Sequence, residues 1–306
     1  MNFKNKMFKN IMFVLAACIV ITSCQKLTHP PLGDYPKDPP TPPYNALKSS
    51  FSFENNVTDD GENKLTGAAT HTSYVAGITG QGLKMASGGT GVGGYLAFDL
   101  KEKNTDPNGF VSVPKDTLSN LKSFTVAFWI NSTRATPITD GAEGLFAIAN
   151  NTQFWGNLEM FFENYSDPTD PNAAWLKIHM LNANVSGGGE EWTADDNTKL
   201  KNVLNKWTHL ALVYDASTSA LSLYKDGAVT AINNKILGGG NYGKVKFGDV
   251  SGMVIGNFAF QTTPSLTAGA DNQSWAQAFN GVMDQFHLYN RPLSASEVND
   301  LYTSKQ

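Results

Sequence analysis

The sequence predicts an all-β protein, and three observations carry that expectation. The 306 residues include 28 glycines, 18 phenylalanines, 10 tyrosines and 6 tryptophans but only 16% charged residues. That composition supplies short apolar strands and tight turns, and few of the Lys/Glu faces that solvated helices need. Apolar and polar residues alternate with period two in several runs bounded by Gly, Asn, Asp and Ser. No internal repeat is present, so residues 45–306 read as one antiparallel β domain.

Two segments of different character come first. Lys4, Lys6 and Lys9 precede an unbroken apolar run from Ile11 to Ile21, the charged start and short apolar centre of a secretory signal at residues 1–23. The run is too short for a bilayer-spanning helix, which takes about 20 residues. Ile21-Thr22-Ser23-Cys24 resembles the lipobox of bacterial lipoproteins. The resemblance implies that Cys24 is acylated and becomes the new N-terminus, and that Gln25, standing where an aspartate would cause retention, directs the protein to the outer membrane. Cys18 lies inside the discarded run, so Cys24 has no partner and the domain must be held by its core instead of a disulfide. Residues 24–44 carry seven of the 14 prolines and form an extended tether of about 3.1 Å per residue. With the three leading lysines set aside, 20 basic residues face 27 acidic ones, a formal charge near −7. Nucleic acid and anionic membrane surfaces are poor partners for such a chain, so membrane contact is expected through the lipid anchor only.

Within the domain, Ser123 to Asn131 is the clearest strand. Phe124, Val126, Phe128 and Ile130 fall on one face and Ala127 and Trp129 on the other, the two-sided burial of a central strand in a sandwich. Trp207 to Tyr214 and Ala220 to Lys225 alternate in the same way, and Asp226-Gly227 supplies a two-residue turn into a third strand, Ala228 to Ile232. The last strand is Gly281 to Tyr289. Ser294 and Glu297 form a capping box that starts a short C-terminal helix.

Five segments together resemble the laminin G-like, concanavalin A-like jelly roll: Phe51 to Gly67, Gly80 to Leu83, Phe124 to Ile130, Trp207 to Asp215, and Gly281 to Tyr302 with its Asp284, Tyr289-Asn290-Arg291 and Leu293-Ser294. They occur in the family's order and cover roughly residues 45 to 304. The resemblance implies two packed antiparallel sheets in jelly-roll order, and no activity in itself, since the fold hosts lectins, glycanases and protein-binding modules. It also implies a structural calcium between the first and last strands, for which Glu54, Asp59, Asp60 and Asp284 are the candidate oxygen ligands. Asp284 is in register with Val282, Phe286 and Leu288, and a carboxylate on such a face needs a cation, a partner or backbone donors.

Glu159 and Glu163 resemble the paired glutamates of glycanases of this fold, with Phe161 where an aspartate would stand. Their α-carbons are about 13 Å apart on a regular strand, whereas a retaining pair needs carboxyls about 5 to 5.5 Å apart. No stronger catalytic constellation is present. A binding function is expected instead at Trp155, Trp175, Trp192 and Trp275, which lie outside the family's strand motifs beside Asn, Gln, Asp and Glu. A flat aromatic ring stacks on the apolar face of a sugar while such neighbours take its hydroxyls. The expectation is a non-catalytic surface lipoprotein that binds carbohydrate, a polysaccharide or a host glycan. Two alternatives stay open: a glycoside hydrolase using Glu159 and Glu163, and a protein-binding adhesin or assembly module.

Overall fold

The computed structural model describes residues 44–86, 93–100, 104–105, 111–112, 114–134, 141–187 and 189–306. The signal segment 1–23, Cys24 and the tether up to residue 43 lie outside them. Among the described residues no helix is long and apolar enough to cross a membrane.

The alternating runs become strands. In chain order these are β1 (Leu47–Phe51), β2 (Ala68–Thr70), β3 (Ser73–Ala76), β4 (Gln81–Met85), β5 (Tyr95–Asp99), β6 (Asn104–Thr105) and β7 (Val111–Ser112). There follow β8 (Phe124–Ser132), β9 (Ala142–Asn150), β10 (Leu158–Phe162), β11 (Ala174–Leu181), β12 (Glu190–Thr193) and β13 (Lys199–Leu200). The last are β14 (Trp207–Asp215), β15 (Ala220–Lys225), β16 (Ala228–Val229), β17 (Lys235–Ile236), β18 (Val250–Ile255), β19 (Ala276–Ala278) and β20 (Gly281–Tyr289).

One sheet runs β16-β15-β14-β8-β20-β4-β3, with β1 also on β20 and β17 on β15. The other runs β12-β11-β10-β9-β18-β5-β2, with β13 on β11 and β19 parallel to β9. These are the two packed, mostly antiparallel sheets the sequence predicts. Their inner faces meet in a core in which Phe286 touches Phe51, Phe128 and Phe146 at ring distances of 6.0, 5.9 and 5.0 Å. Phe128 and Phe286 belong to one sheet and Phe146 to the other, so these rings join the layers.

The predicted strands hold with small changes. Phe124, Val126, Phe128 and Ile130 enter the core while Ala127 faces outward. Asp226 and Gly227 have φ of 50° and 76°, the left-handed pair that a two-residue hairpin turn requires. The third strand of that meander is shorter than expected, Ala228–Val229, although Thr230 and Ile232 still bond to Leu223. The helix Ala295–Ser304 begins with the expected capping box and lays Val298 and Leu301 on Ala127, Ala211 and Val213.

One register differs from the reading. Asp284 does not share a face with Phe286 and Leu288. The pairing of β20 with β8 slips between Asp284 and His287, and Gln285 has φ 47°. A bulge of this kind adds one residue and reverses the alternation beyond it. Met283, Phe286 and Leu288 point into the core, and Asp284 stands outside it, opposite Trp129.

Candidate functional site

The outer face of the second sheet carries a row of paired residues across six strands: Trp192, His179, Glu159, Ala147, Val254 and Ala97. Its left half is large and polar or aromatic, its right half small. The small half has a reason. The segment 257–276 lies over this face, with Ala259 packed on Ala147, Ala149 and Val254. A Cβ on Gly144 would strike the Asn257–Phe258 peptide, so only glycine lets the segment lie so close. Gln261 closes the segment on itself, donating to the Gln273 and Ala276 carbonyls and accepting from the Gln273 amide.

That closure delivers Phe258, Phe260 and Trp275 to the large half, where they meet Phe154, Trp155, Phe161 and Trp192. Trp155 lies parallel to Phe161 at 5.7 Å, perpendicular to Trp192 at 5.1 Å, and 5.6 Å from Trp275. Phe154 stacks on Phe260 at 4.2 Å, and Trp275 sits 5.7 and 5.8 Å from Phe260 and Phe258. Such offset and edge contacts are the favoured arrangements of aromatic rings. Trp275 is 39% exposed and is fixed from behind, its carbonyl accepting the Ala142 amide at 2.8 Å. Trp155 and Trp192 are half-buried. Strand β12, which carries Trp192, is held by Glu191 Oε1 accepting the Gly238 amide at 2.7 Å and by Lys235 Nζ donating to Thr193 Oγ1 at 3.0 Å.

Three of the four expected tryptophans therefore converge. Trp175 does not. It lies on β11 four residues from His179, about 13 Å along the strand, in a separate group with Tyr165 at 5.8 Å. Lys177 and Lys199 stand over its ring at 4.5 and 4.9 Å, and its indole N–H donates to Thr198 Oγ1. Phe154, Phe258 and Phe260 are the members that sequence reasoning missed: segment 257–276, which carries the last two, shows no strand period, and Phe154 lies in the turn between β9 and β10. Trp129 is on the outer face of the first sheet, 4% exposed beneath Tyr302, and Trp207 is half-buried.

Glu159 lies beneath this cluster at 0% exposure, and neither carboxyl oxygen has a hydrogen-bond partner among the described residues. Burial drives its carboxyl well above the usual carboxylate range and favours the protonated, neutral form. Glu163 lies on the same face beyond Phe161 and pairs with Lys177 at 2.5 Å. The catalytic reading required the two carboxyls to converge in an open cleft. Phe161, packed against Trp155, stands between them instead, one glutamate is covered and the other is engaged by a lysine.

The four candidate calcium ligands fall in two places. Asp59 is buried, and its oxygens accept the amides of Ser50, Gly61 and Leu65. Asp60 adjoins it, its amide donating to the Ser50 carbonyl. Asp284 and Glu54 share the turn at 77–81 instead. Asp284 accepts from Ile78, Thr79 and Gln285, and Glu54 from Gln81. Burial lifts Asp284 to about 6, against the three amides that lower it. Backbone donors are thus what hold Asp59 and Asp284, and among the described residues no three acidic, histidine or cysteine side chains gather as a ligand set.

Residues 104–247 match the family model described as the concanavalin A-like lectin/glucanases superfamily. A search of curated proteins found no match. Among solved structures, the binding domain of botulinum neurotoxin DC in complex with SialylT is 12% identical with a TM-score of 0.54, covering 86% of this chain and 52% of that one. The same domain in complex with rat synaptotagmin II is 12% identical with a TM-score of 0.53, covering 85% and 52%. The binding domain of Paraclostridial Mosquitocidal Protein 1 is 16% identical with a TM-score of 0.54, covering 85% and 52%. The chain spans about half the length of these relatives, and at such identities the likeness is one of fold. That fold, two antiparallel sheets in a sandwich with one short C-terminal helix, is the concanavalin A-like fold.

Proposed function

We propose that the protein is a non-catalytic carbohydrate-binding module, displayed on the outer membrane through an acylated Cys24. The observation that carries the reading is the convergence of Trp155, Trp192 and Trp275 on one outer sheet face, with Trp275 offering an exposed ring beside Asp271, Asn272 and Ser274, which are also exposed. A rigidly held indole with polar neighbours suits the apolar face of a pyranose, and binding breaks no bond. The glycoside hydrolase alternative loses its support with the covered Glu159. The protein-binding alternative keeps one observation in its favour, since the rings pack on each other into one aromatic cluster. The neurotoxin binding domain, about half of which shares this fold, is known in complex with SialylT and with rat synaptotagmin II, one partner of each kind.

An affinity-gel and glycan-array screen of the full chain tests the proposal. Retention without product release, lost in Trp275→Ala, supports it, and no retention on any glycan transfers the patch to a protein partner. Calcium enters only at Glu54 and Asp284, where two carboxylates face one turn. If it binds there, chelation lowers the melting temperature of the wild type and leaves that of Asp284→Asn unchanged.

A further inference from the structure

His179 holds a place that a single imidazole proton does not satisfy. Its Nδ1 is 3.1 Å from the Trp155 carbonyl oxygen and its Nε2 is 3.2 Å from Glu190 Oε1. Both partners are acceptors. A neutral ring has one N–H, so it donates to one of them and turns a lone pair toward the other, whereas the imidazolium donates to both. The same Glu190 Oε1 accepts the indole N–H of Trp192 at 3.2 Å, and the Trp192 ring lies 4.7 Å from the imidazole. One side chain on β11 therefore reaches the loop that carries Trp155 and the strand that carries Trp192.

We propose that His179 is a proton-controlled positioning residue of the tryptophan cluster: doubly protonated it clasps the Trp155 loop and the Glu190–Trp192 strand together, singly protonated it holds only one of them. The ligand consequence, tighter binding as the pH falls, rests on the carbohydrate-binding reading; the clasp does not.

The groups around the ring fit this behaviour. Across from it on β10 is Glu159, whose burial favours the neutral carboxyl and so weakens it as a competing counter-charge. On β12, Glu190 is the facing carboxylate, its side chain 56% exposed and its Oε1 shared with the Trp192 indole N–H; Glu191 is engaged by the Gly238 amide. On β11 itself, Lys177 is paired with Glu163. The Trp155 loop contributes only a carbonyl, and the overlying segment 257–276 only the exposed Asp271. Burial pulls the ring below the ordinary histidine value near 6.5 and the Glu190 charge pulls it back up, with burial the larger effect. The clasp thus opens as the pH rises through the ring's lowered value and closes as the pH falls through it.

The test is imidazole nitrogen NMR on the full chain labelled at histidine, with the His179 signal assigned through His179→Gln, alongside tryptophan fluorescence and glycan retention from pH 8 to 4.5. His209 and His287, both held down to about 4, serve as internal controls that stay singly protonated over most of that range. The expected result is a change of His179 from one proton to two below pH 6.5, a parallel change in tryptophan fluorescence absent from His179→Gln, and retention about fivefold or more tighter at the acid end in wild type only. A His179 that stays singly protonated to pH 4.5 overturns the proposal, as does a fluorescence change that persists in His179→Gln. If protonation and fluorescence move together but no glycan is retained at any pH, the clasp stands and the carbohydrate reading fails.

Discussion

Both outer faces of the sandwich carry tryptophan, and they use it differently. On the β8-β14-β20 side a regular helix closes the face: Leu293, Val298 and Leu301 pack on Ala127, Ala211 and Val213, and Trp129 lies parallel to Tyr302 at 5.4 Å with 4% exposure. On the β9-β10-β11 side the cover is an irregular segment rich in aromatics, and its last ring, Trp275, is left 39% exposed. A helix presents a continuous apolar stripe and buries what it meets. A loop held at a few points by Gln261 and by close approach at Gly144 can support a ring from behind and leave its far face wet. The same residue type is therefore structural on one side and available to a ligand on the other.

The sharpest way to break this contrast is Trp129→Ala. The cavity left between β8 and the helix is expected to cost about 3–5 kcal/mol in urea unfolding, and to leave ligand retention by the folded fraction intact. A loss of retention equal to that of Trp275→Ala at full folding would contradict the division of labour.

The faces also respond oppositely to acid. Burial raises Glu159 well above 4.5 in the fold, so folding favours the protonated carboxyl in the window above 4.5 and stability falls as pH rises through it. Glu159→Gln removes that dependence, and is expected to gain on wild type as the pH rises above 4.5, by at most about 1.4 kcal/mol per pH unit, read as the difference in urea midpoints at pH 5, 6 and 7. On the helix side His209 and His287 are buried and neutral, with values near 4. Their contribution is present above about 6.5 and is lost as pH falls toward 4, with Asp284, raised to about 6, opposing it in the lower part. Hydrogen exchange at pH 5 against pH 7 is expected to show lost protection in Val298–Tyr302 and none beneath the aromatic cluster.

The smallest effect is at the cap. Ser294→Ala removes the bond to the Glu297 amide and should cost about 1 kcal/mol, confined to the helix side in the same exchange experiment.

How much of this was legible follows from range. Strands β8, β14, β15 and β20 were readable because two-residue alternation is local, and the capping box because it spans four residues. The bulge at Gln285 was not, since one inserted residue changes the phase without changing the composition, and Asp284 was assigned to the wrong face for that reason. Trp155, Trp192 and Trp275 stood out by lying outside strand motifs. Their meeting depends on Gln261, Gly144 and pairings between residues more than a hundred apart, which no local pattern encodes. Trp175 looked equivalent in sequence and differs because lysines occupy its ring. Glu159 and Glu163 share a face as expected, but what covers Glu159 comes from elsewhere in the chain.

The most direct test of the central claim is to measure glycan retention and unfolding free energy together for Trp275→Ala. The account expects retention to fall at least about tenfold, the loss of roughly 1.4 kcal/mol of binding, while stability changes by less than about 1 kcal/mol. Unchanged retention with a stability loss near that of Trp129→Ala would make Trp275 a packing residue and remove the binding face from this side of the sandwich.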